Sequence, residues 1–446
     1  MNHQRTRRSF LQELAAGIVV APWVTSGLRA QAPSSRIRHA SFGCSGMAMS
    51  DVSSIAGHKS VDVVAACDVD AKKTDEFRKK FPNAKIYTDF RELLEREKDL
   101  QTVNVSTPDH MHAAIGMTAL QRGVNVYGQK PLTHNLYECR RLTEVAREKK
   151  LVTQMGIQIH SSTEYRTAVM LVQTGAIGKV KEVHTWSSKK WGDNGKMPEK
   201  TEQPPVELDW DRWVGVAAAR PFIGSGWYHP GNWRKRLDFG TGTFGDMGCH
   251  IYDPVFKALA LTSAVSVKSR GAAPNEHSWA TDAIVEYIFP GTAYTADKTV
   301  RVTWYDGDQR PPKDVQELIA VPGDEKASKL PDQGSIFLGT EGIMVLPHIA
   351  MPRLIGEKAH GAAYEKVAGD NHWHQFIEAA LGNRKNGDAN FDYAGPMTEA
   401  VLLGSVASRF PNELLEWDGP GLTFANAKAN AFVKRTYRAG YEVAGL

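Results

Sequence analysis

The sequence predicts an α/β fold in which an N-terminal domain built on a parallel sheet is followed by a second α/β domain. Apolar runs of strand length alternate with helical patterns from residue 37 to about residue 158, the signature of a parallel sheet covered by helices on both faces. The first of these runs ends in a glycine-rich turn, Phe42-Gly43-Cys44-Ser45-Gly46-Met47-Ala48. With 446 residues and 42% hydrophobic composition, the chain can bury sizeable cores and is expected to hold two domains.

The chain opens on a segment of another kind. Thr6-Arg7-Arg8-Ser9-Phe10-Leu11 reads as a twin-arginine leader, followed by an apolar stretch from Leu14 to Val24 and small residues around Ala30-Gln31-Ala32. The stretch is too short to span a bilayer. Cleavage after Ala32 would leave Pro33 at the new terminus, so Ala30 is the expected last residue of a signal over residues 1–30. A periplasmic protein exported already folded is the expectation, and it must carry any cofactor with it.

Arg5, Arg7, Arg8 and Arg29 against Glu13 give the leader a net +3, so the formal +4 of the chain falls to +1 without it. No basic block remains to steer the protein to nucleic acid or to an anionic membrane. Cys44, Cys67, Cys139 and Cys249 are scattered without paired spacing, and no structural disulfide is expected.

Strands are expected at residues 37–42, 61–67, 102–106, 124–127 and 151–155, with amphipathic segments such as 71–80 and 112–122 between them. In the first turn Gly43, Ser45 and Ala48 occupy the three small-residue positions of a dinucleotide-binding fingerprint, with Gly46 additional and Met47 beside it. Ser45 is small enough to let backbone approach a pyrophosphate at the following helix N-terminus. The second strand ends in Asp68, about where a ribose-binding acid belongs, with a helix N-cap before Ala71 as the structural alternative. A carboxylate there favours NAD over NADP, while Lys72 and Lys73 keep a 2′-phosphate conceivable.

Two loops leave later strands at their carboxyl ends, Ser106-Thr107-Pro108-Asp109-His110-Met111-His112 and Tyr127-Gly128-Gln129-Lys130-Pro131. Open sheets bind ligands there. Lys130 is placed to stabilise alkoxide character on a substrate hydroxyl as hydride departs. Further on, Asp246 and His250 stand four apart and share a helix face. A carboxylate beside an imidazole fixes the ring and favours its charged form, which suits a general base. Pro254 is expected to disturb a helix already two turns long, so the helix is expected to begin nearer Gly248.

With these residues in place, the chain resembles the Gfo/Idh/MocA oxidoreductases from about Arg36 to its C-terminus. The resemblance rests on the Gly43 turn, Val61 to Asp68, Ser106-Thr107-Pro108 with His112, Gln129-Lys130-Pro131, Gly175-Ala176-Ile177-Gly178-Lys179-Val180, and Asp246 to His250. It implies a Rossmann domain over 36–158 and, over 159–446, an α/β domain whose open, largely antiparallel sheet carries the substrate pocket and mediates homo-oligomerisation. It also implies Lys130, Asp246 and His250 as catalytic residues. Asp109, His110, His112, Gln129, Lys130 and Gln158 look like cofactor-contact positions, alongside Thr107 and Pro108. Gln129 departs from the family's glutamate, which removes a charge partner for Lys130 but keeps an acceptor.

Between Trp186 and Trp233 the chain is rich in aromatic and hydrogen-bonding residues, a mixture suited to the apolar faces and polar edges of sugars. Trp191, Tyr228, Trp233 and Arg234 are the expected substrate contacts, whereas Trp210 and Trp213 read as core. The pairs His110/His112 and His372/His374 lack the carboxylate or cysteine company of a metal site, so no metal is expected. The expected activity is NAD-dependent oxidation of a sugar or polyol carbinol. The alternative is redox-neutral glycoside cleavage, in which bound NAD oxidises transiently and is restored.

Overall fold

The computed structural model describes residues 36–320, 323, 328–356 and 364–446. The leader and its expected cleavage site lie outside the described residues.

The first sheet has six parallel strands, β1 (Ile37–Phe42), β2 (Val61–Cys67), β3 (Lys85–Tyr87), β4 (Thr102–Val105), β5 (Asn125–Gly128) and β6 (Thr153–Met155), in the order β3-β2-β1-β4-β5-β6. Its central strands are short and almost wholly buried, as β4 shows with four buried residues in four. Burial on both faces is what a sheet covered by helices requires. Strand order reverses between β1 and β4, which opens a crevice at their carboxyl ends. The sequence pattern did not include β3, which is three residues long and carries an exposed lysine, nor the helix Phe90–Arg96, whereas the helix expected after the glycine turn is present as Met47–Ala56.

The second sheet has nine strands: β7 (Val180–Ser187), β8 (Ser266–Arg270), β9 (Ile284–Pro290), β10 (Thr299–Asp306), β11 (Gln333–Gly339), β12 (Ile343–Pro347), β13 (Arg353–Ile355), β14 (Leu414–Asp418) and β15 (Thr423–Phe424). They run in the order β13-β12-β11-β7-β10-β9-β8-β14-β15, antiparallel except for the β7–β10 pair. The fold is therefore a Rossmann domain followed by an α/β domain with a largely antiparallel sheet.

The helix Gly242–Ala258 lies against this sheet, where Phe244 and Tyr252 meet Tyr287 and Trp304. It runs unbroken through Pro254 and begins at Gly242 rather than near Gly248, a correction to the sequence expectation. Pro254 has no N–H to give the His250 carbonyl, a loss of about 3 kcal/mol in an isolated helix. Burial of Phe244, Met247, Ile251, Tyr252, Val255 and Phe256 contributes about 1.5–3 kcal/mol per large apolar side chain and outweighs it.

The chain then returns to the first sheet. Helix His372–Ala380, capped where the Asn371 side chain accepts from the His374 N–H, buries Phe376 and Ile377 against Ile37, Ile55, Val61 and Tyr127. The C-terminal tail follows, with Arg91 donating to the Gly440 carbonyl at 2.8 Å and the Tyr137 N–H to the Val433 carbonyl at 3.0 Å. All four cysteines are free and buried. No described helix is long and apolar enough to cross a membrane.

Candidate active site

A cavity of about 470 Å³ occupies the crevice at the carboxyl ends of β1, β2, β4 and β5, within the usual size range of small-molecule and cofactor sites. One end is made of backbone. Gly43 sits at φ +102°, and a Cβ there would lie 2.8 Å from the Ala48 Cβ and 2.9 Å from the Ser106 carbonyl oxygen. Only glycine fits. Gly46, at φ +55°, precedes the helix Met47–Ala56, whose N-terminus no side chain caps and whose first turn holds no acid. Open N–H groups at a helix N-terminus attract an anion such as a pyrophosphate.

Asp68 closes this end. Its carboxylate accepts from the Cys44 N–H at 2.9 Å and from the Asp70 N–H at 3.0 Å, tying the glycine turn to the end of β2. The structural alternative falls to Asp70 instead, which caps the turn Ala71–Lys73 by accepting from the Lys72 N–H. Burial raises the Asp68 carboxyl above its usual range, against the two backbone donors.

The cavity beside Asp68 is roofed by distant segments. The Asp209 N–H donates to the Val69 carbonyl and the Ala71 N–H to the Glu207 carbonyl, each at 2.9 Å. That docking brings Arg212 and Trp213 over the cavity, while His229 reaches Asp70 at 2.8 Å and Tyr441 arrives from the tail. Asp89 pairs with both Arg91, at 2.7 Å, and Arg212, at 3.5 Å, so the two guanidiniums at this end of the cavity are already matched by a carboxylate. Sequence reasoning missed Asp89, Arg91, His229 and Tyr441 because nothing local marks them.

The other end is lined by charged side chains. Lys130 Nζ donates to the Asp246 carboxylate at 2.7 Å and to the Asp246 carbonyl at 2.8 Å, joining segments 116 residues apart. Arg234 reaches the same carboxylate at 3.3 Å and stacks on Trp233 and Trp191, 4.3 Å and 5.5 Å from their ring centroids. Burial pushes the Asp246 carboxyl up, but Lys130 and Arg234 outweigh it and hold it at about 2. Asp246 is therefore a carboxylate at any ordinary pH.

Asp246 thus spends its hydrogen bonds on Lys130 and Arg234 rather than on His250. His250 shares the helix face one turn on, yet its Nδ1 is buried with no partner. Burial and the nearby Lys130 push the imidazole well below its ordinary range. Asp246 favours the charged imidazole as expected, but burial and Lys130 outweigh it, so His250 rests neutral, a proton acceptor in waiting.

The remaining predicted residues divide between cavity and core. Gly43, Ser45, Gly46, Met47, Asp68, Thr107, Pro108, Asp109, His112, Gln129, Lys130, Trp233, Arg234 and Asp246 line the cavity. Thr107 Oγ1 is buried there without a partner. His112 lies 2.8 Å from the carbonyls of Thr107 and Pro131 and pins the two loops together. His110 is corrected to core: fully buried, it meets the Trp213 carbonyl at 3.0 Å and packs on Trp213 and Phe239. Tyr228 likewise belongs to an aromatic cluster with Trp210, Trp213 and Phe239 rather than to the pocket. Trp191 and Gln158 stand outside the cavity lining, Trp191 behind Arg234 and Gln158 beside Met47 at 3.4 Å.

Gln129 does not serve the Lys130 ammonium. Its Nε2 donates at 2.9 Å to Asp51, a fully buried carboxyl that also takes Ser106 Oγ at 2.8 Å and Trp373 Nε1 at 2.9 Å. Asp51, invisible to the sequence reading, joins the glycine-turn helix to both ligand loops. A second carboxylate at position 129 would confront it, which explains the glutamine. Among the described residues no group of three or more His, Cys, Asp or Glu could hold a metal ion.

Family models meet the chain at two places. One, described as an oxidoreductase family NAD-binding Rossmann fold, matches residues 37–157, and its companion C-terminal α/β domain matches residues 163–311. The chain belongs to the Gfo/Idh/MocA oxidoreductase family. Curated relatives include an uncharacterised oxidoreductase of Schizosaccharomyces pombe, 24% identical over 208 residues, which are 46% of this chain and 47% of that protein. Inositol 2-dehydrogenase of Salmonella paratyphi B is 29% identical over 126 residues, 28% of this chain and 37% of that enzyme. The chain thus spans about half or less of the curated relatives' length in these matches.

Solved structures extend the likeness of fold. The WlbA dehydrogenase of Bordetella pertussis superposes with a TM-score of 0.59 at 13% identity, over 86% of this chain and 99% of that one. The aldose-aldose oxidoreductase of Caulobacter crescentus does so with a TM-score of 0.58 at 13% identity, over 86% and 100%. The chain is therefore an oxidoreductase-family member with a nicotinamide-nucleotide fold.

Proposed function

We propose that this protein oxidises a carbinol of a sugar or polyol with a tightly held NAD. The observation that carries the reading is the ion pair between Lys130 and Asp246 at the catalytic end of a cavity whose other end is a backbone cradle. Gly43, Gly46, the open helix N-terminus and unpartnered Thr107 Oγ1 fit a dinucleotide. When bound, the nicotinamide supplies the acceptor for a hydride. Lys130 holds a positive charge where the substrate oxygen gains negative character. His250, resting neutral, takes the hydroxyl proton. Asp246 keeps Lys130 and Arg234 in place, and Trp233 offers an apolar face.

Asp68 at the ribose position and the engagement of Arg91 and Arg212 by Asp89 favour NAD over NADP. Retention is supported by the roof of Trp213, His229 and Tyr441 over the nucleoside end. It suits export to the periplasm by the twin-arginine route, which we propose from Arg7 and Arg8. Homo-oligomerisation through the second sheet is proposed from the family resemblance and is read by sedimentation.

The test is mass spectrometry of cofactor released from purified folded protein, followed by a carbohydrate screen at the nicotinamide absorbance band. NAD in the release and a band that rises with sugar support the reading. An empty protein that gains no such band with NAD and sugar added overturns it. Cleavage of a nitrophenyl glycoside with no added NAD and no lasting change in the band would favour the redox-neutral alternative.

A further inference from the structure

A second imidazole faces His250. His348 stands in the turn that follows β12, its ring centroid 5.8 Å from that of His250 and the two planes tilted by 46°. It is not held there by chance packing alone. Its backbone N–H donates to the Gln333 carbonyl at 2.9 Å, anchoring the turn to β11. The next residue, Ile349, sits at φ +58° with an exposed side chain. A β-branched residue in the left-handed region is strained, and such strain gathers where a structure holds a neighbour in a functional geometry.

The orientation of His348 is set from behind. Tyr165, buried on the helix Thr163–Gln173, lies with its hydroxyl 2.8 Å from His348 Nδ1. Burial raises the Tyr165 phenol well above its ordinary range, so it keeps its proton and donates. A ring that accepts at Nδ1 carries its own proton at Nε2. His348 Nε2–H is then a fixed donor. Burial and Lys130 hold the ring neutral, with its pKa lowered to about 4.

Two neutral imidazoles with different duties therefore face one another. His250 has a buried, unpartnered Nδ1 and stands beside Lys130 and Asp246. His348 offers an N–H. A single carbinol oxygen has no use for both, whereas two hydroxyls on adjacent carbons do. We propose that His348, set by Tyr165, binds the hydroxyl adjacent to the carbinol that His250 and Lys130 engage, so that the site selects a vicinal diol of a cyclic sugar or polyol. This rests on the carbinol-oxidation reading above. His348 touches substrate, and Tyr165 is a positioning residue that acts through it.

The test uses the full-length protein loaded with NAD, with myo-inositol, D-glucose, D-galactose and their monodeoxy forms as probes. Reduction of bound NAD is followed by absorbance and sugar binding by tryptophan fluorescence. In His348→Ala the expected change is a loss of about tenfold in kcat/KM on the intact sugar, carried mainly by KM, the size of one lost hydrogen bond. The loss disappears on the one deoxy form that lacks the contacted hydroxyl. His348→Gln, which keeps an N–H near the Nε2 position, recovers most of it. Tyr165→Phe shows a smaller loss with the same deoxy signature, and cofactor content is unchanged throughout.

Equal losses on every deoxy form, or no loss at all, overturn the role of His348 and leave carbinol oxidation standing. Sugar binding without reduction, weakened tenfold in His348→Ala, supports the contact while overturning oxidation. Neither binding nor reduction of any probe by the wild type overturns both.

Discussion

At one end the cavity is made of backbone within one stretch of chain, from Gly43 through the helix Met47–Ala56. At the other it is made of side chains brought from positions 130, 234 and 246 and held by one another's charge. At Gly43 the first end has no room for an added atom. The second is expected to tolerate change in shape but not in charge, since Lys130, Arg234 and Asp246 form a single, partly buried network. A local cradle fails by collision, and an assembled centre fails by losing electrostatic balance.

The sharpest way to break this contrast is Gly43→Ala. The new Cβ would meet backbone at 2.9 Å and a neighbouring Cβ at 2.8 Å, at a φ of +102°. Loss of several kcal/mol of stability is expected, together with loss of cofactor, read by thermal unfolding and by cofactor content. A variant that folds and binds NAD normally would show that the turn is not the cradle. Lys130→Met should instead spare the cofactor and lower kcat about 10²–10³-fold, the usual cost of one preorganised charge or donor. Asp246 would rise from about 2 towards its ordinary value at the same time, which a carboxyl titration by NMR detects.

A smaller effect sharpens the middle of the cavity. Gln129→Glu sets a carboxylate against buried Asp51, which already accepts from Gln129, Ser106 and Trp373. A loss of about 1–3 kcal/mol is expected at neutral pH, easing as pH falls because one of the two carboxyls takes a proton. Adding Asp51→Asn should restore part of the loss. If Gln129→Glu is as stable as the wild type in urea, the pairing of residues 51 and 129 is unimportant.

The smallest effect concerns pH. His39 and His372 are fully or almost fully buried, and burial lowers each to about 4 despite hydrogen bonds from their neighbours. Unfolding returns them to about 6.5. The unfolded chain then binds more protons between roughly pH 6.5 and 4, so stability is full above that window and falls as pH drops through it. A melting temperature that rises as pH is lowered from 7 to 5 would contradict this.

The same contrast decides what could be read from sequence. The strands at 37–42 and 61–67 and the Gly43 turn were legible because periodicity and turn chemistry are local. Lys130, Asp246 and His250 were singled out through resemblance to a family, but their mutual bonds were not foreseen: Asp246 pairs with Lys130 and Arg234. Asp51, Asp89 and His348 carried no local signal, since each takes its meaning from a partner far away in sequence, such as Gln129, Arg212 or Tyr165. Pro254 misled because the breaking rule holds for exposed helices and here a buried apolar face overrules it.

The central claim is that Lys130 stabilises the developing oxyanion at a cavity that holds its own NAD. Single-turnover reduction of bound NAD by a polyol, in wild type and Lys130→Met matched for cofactor content, tests it most directly. A rate at least 10²-fold lower in the variant is predicted. Equal rates would contradict the account.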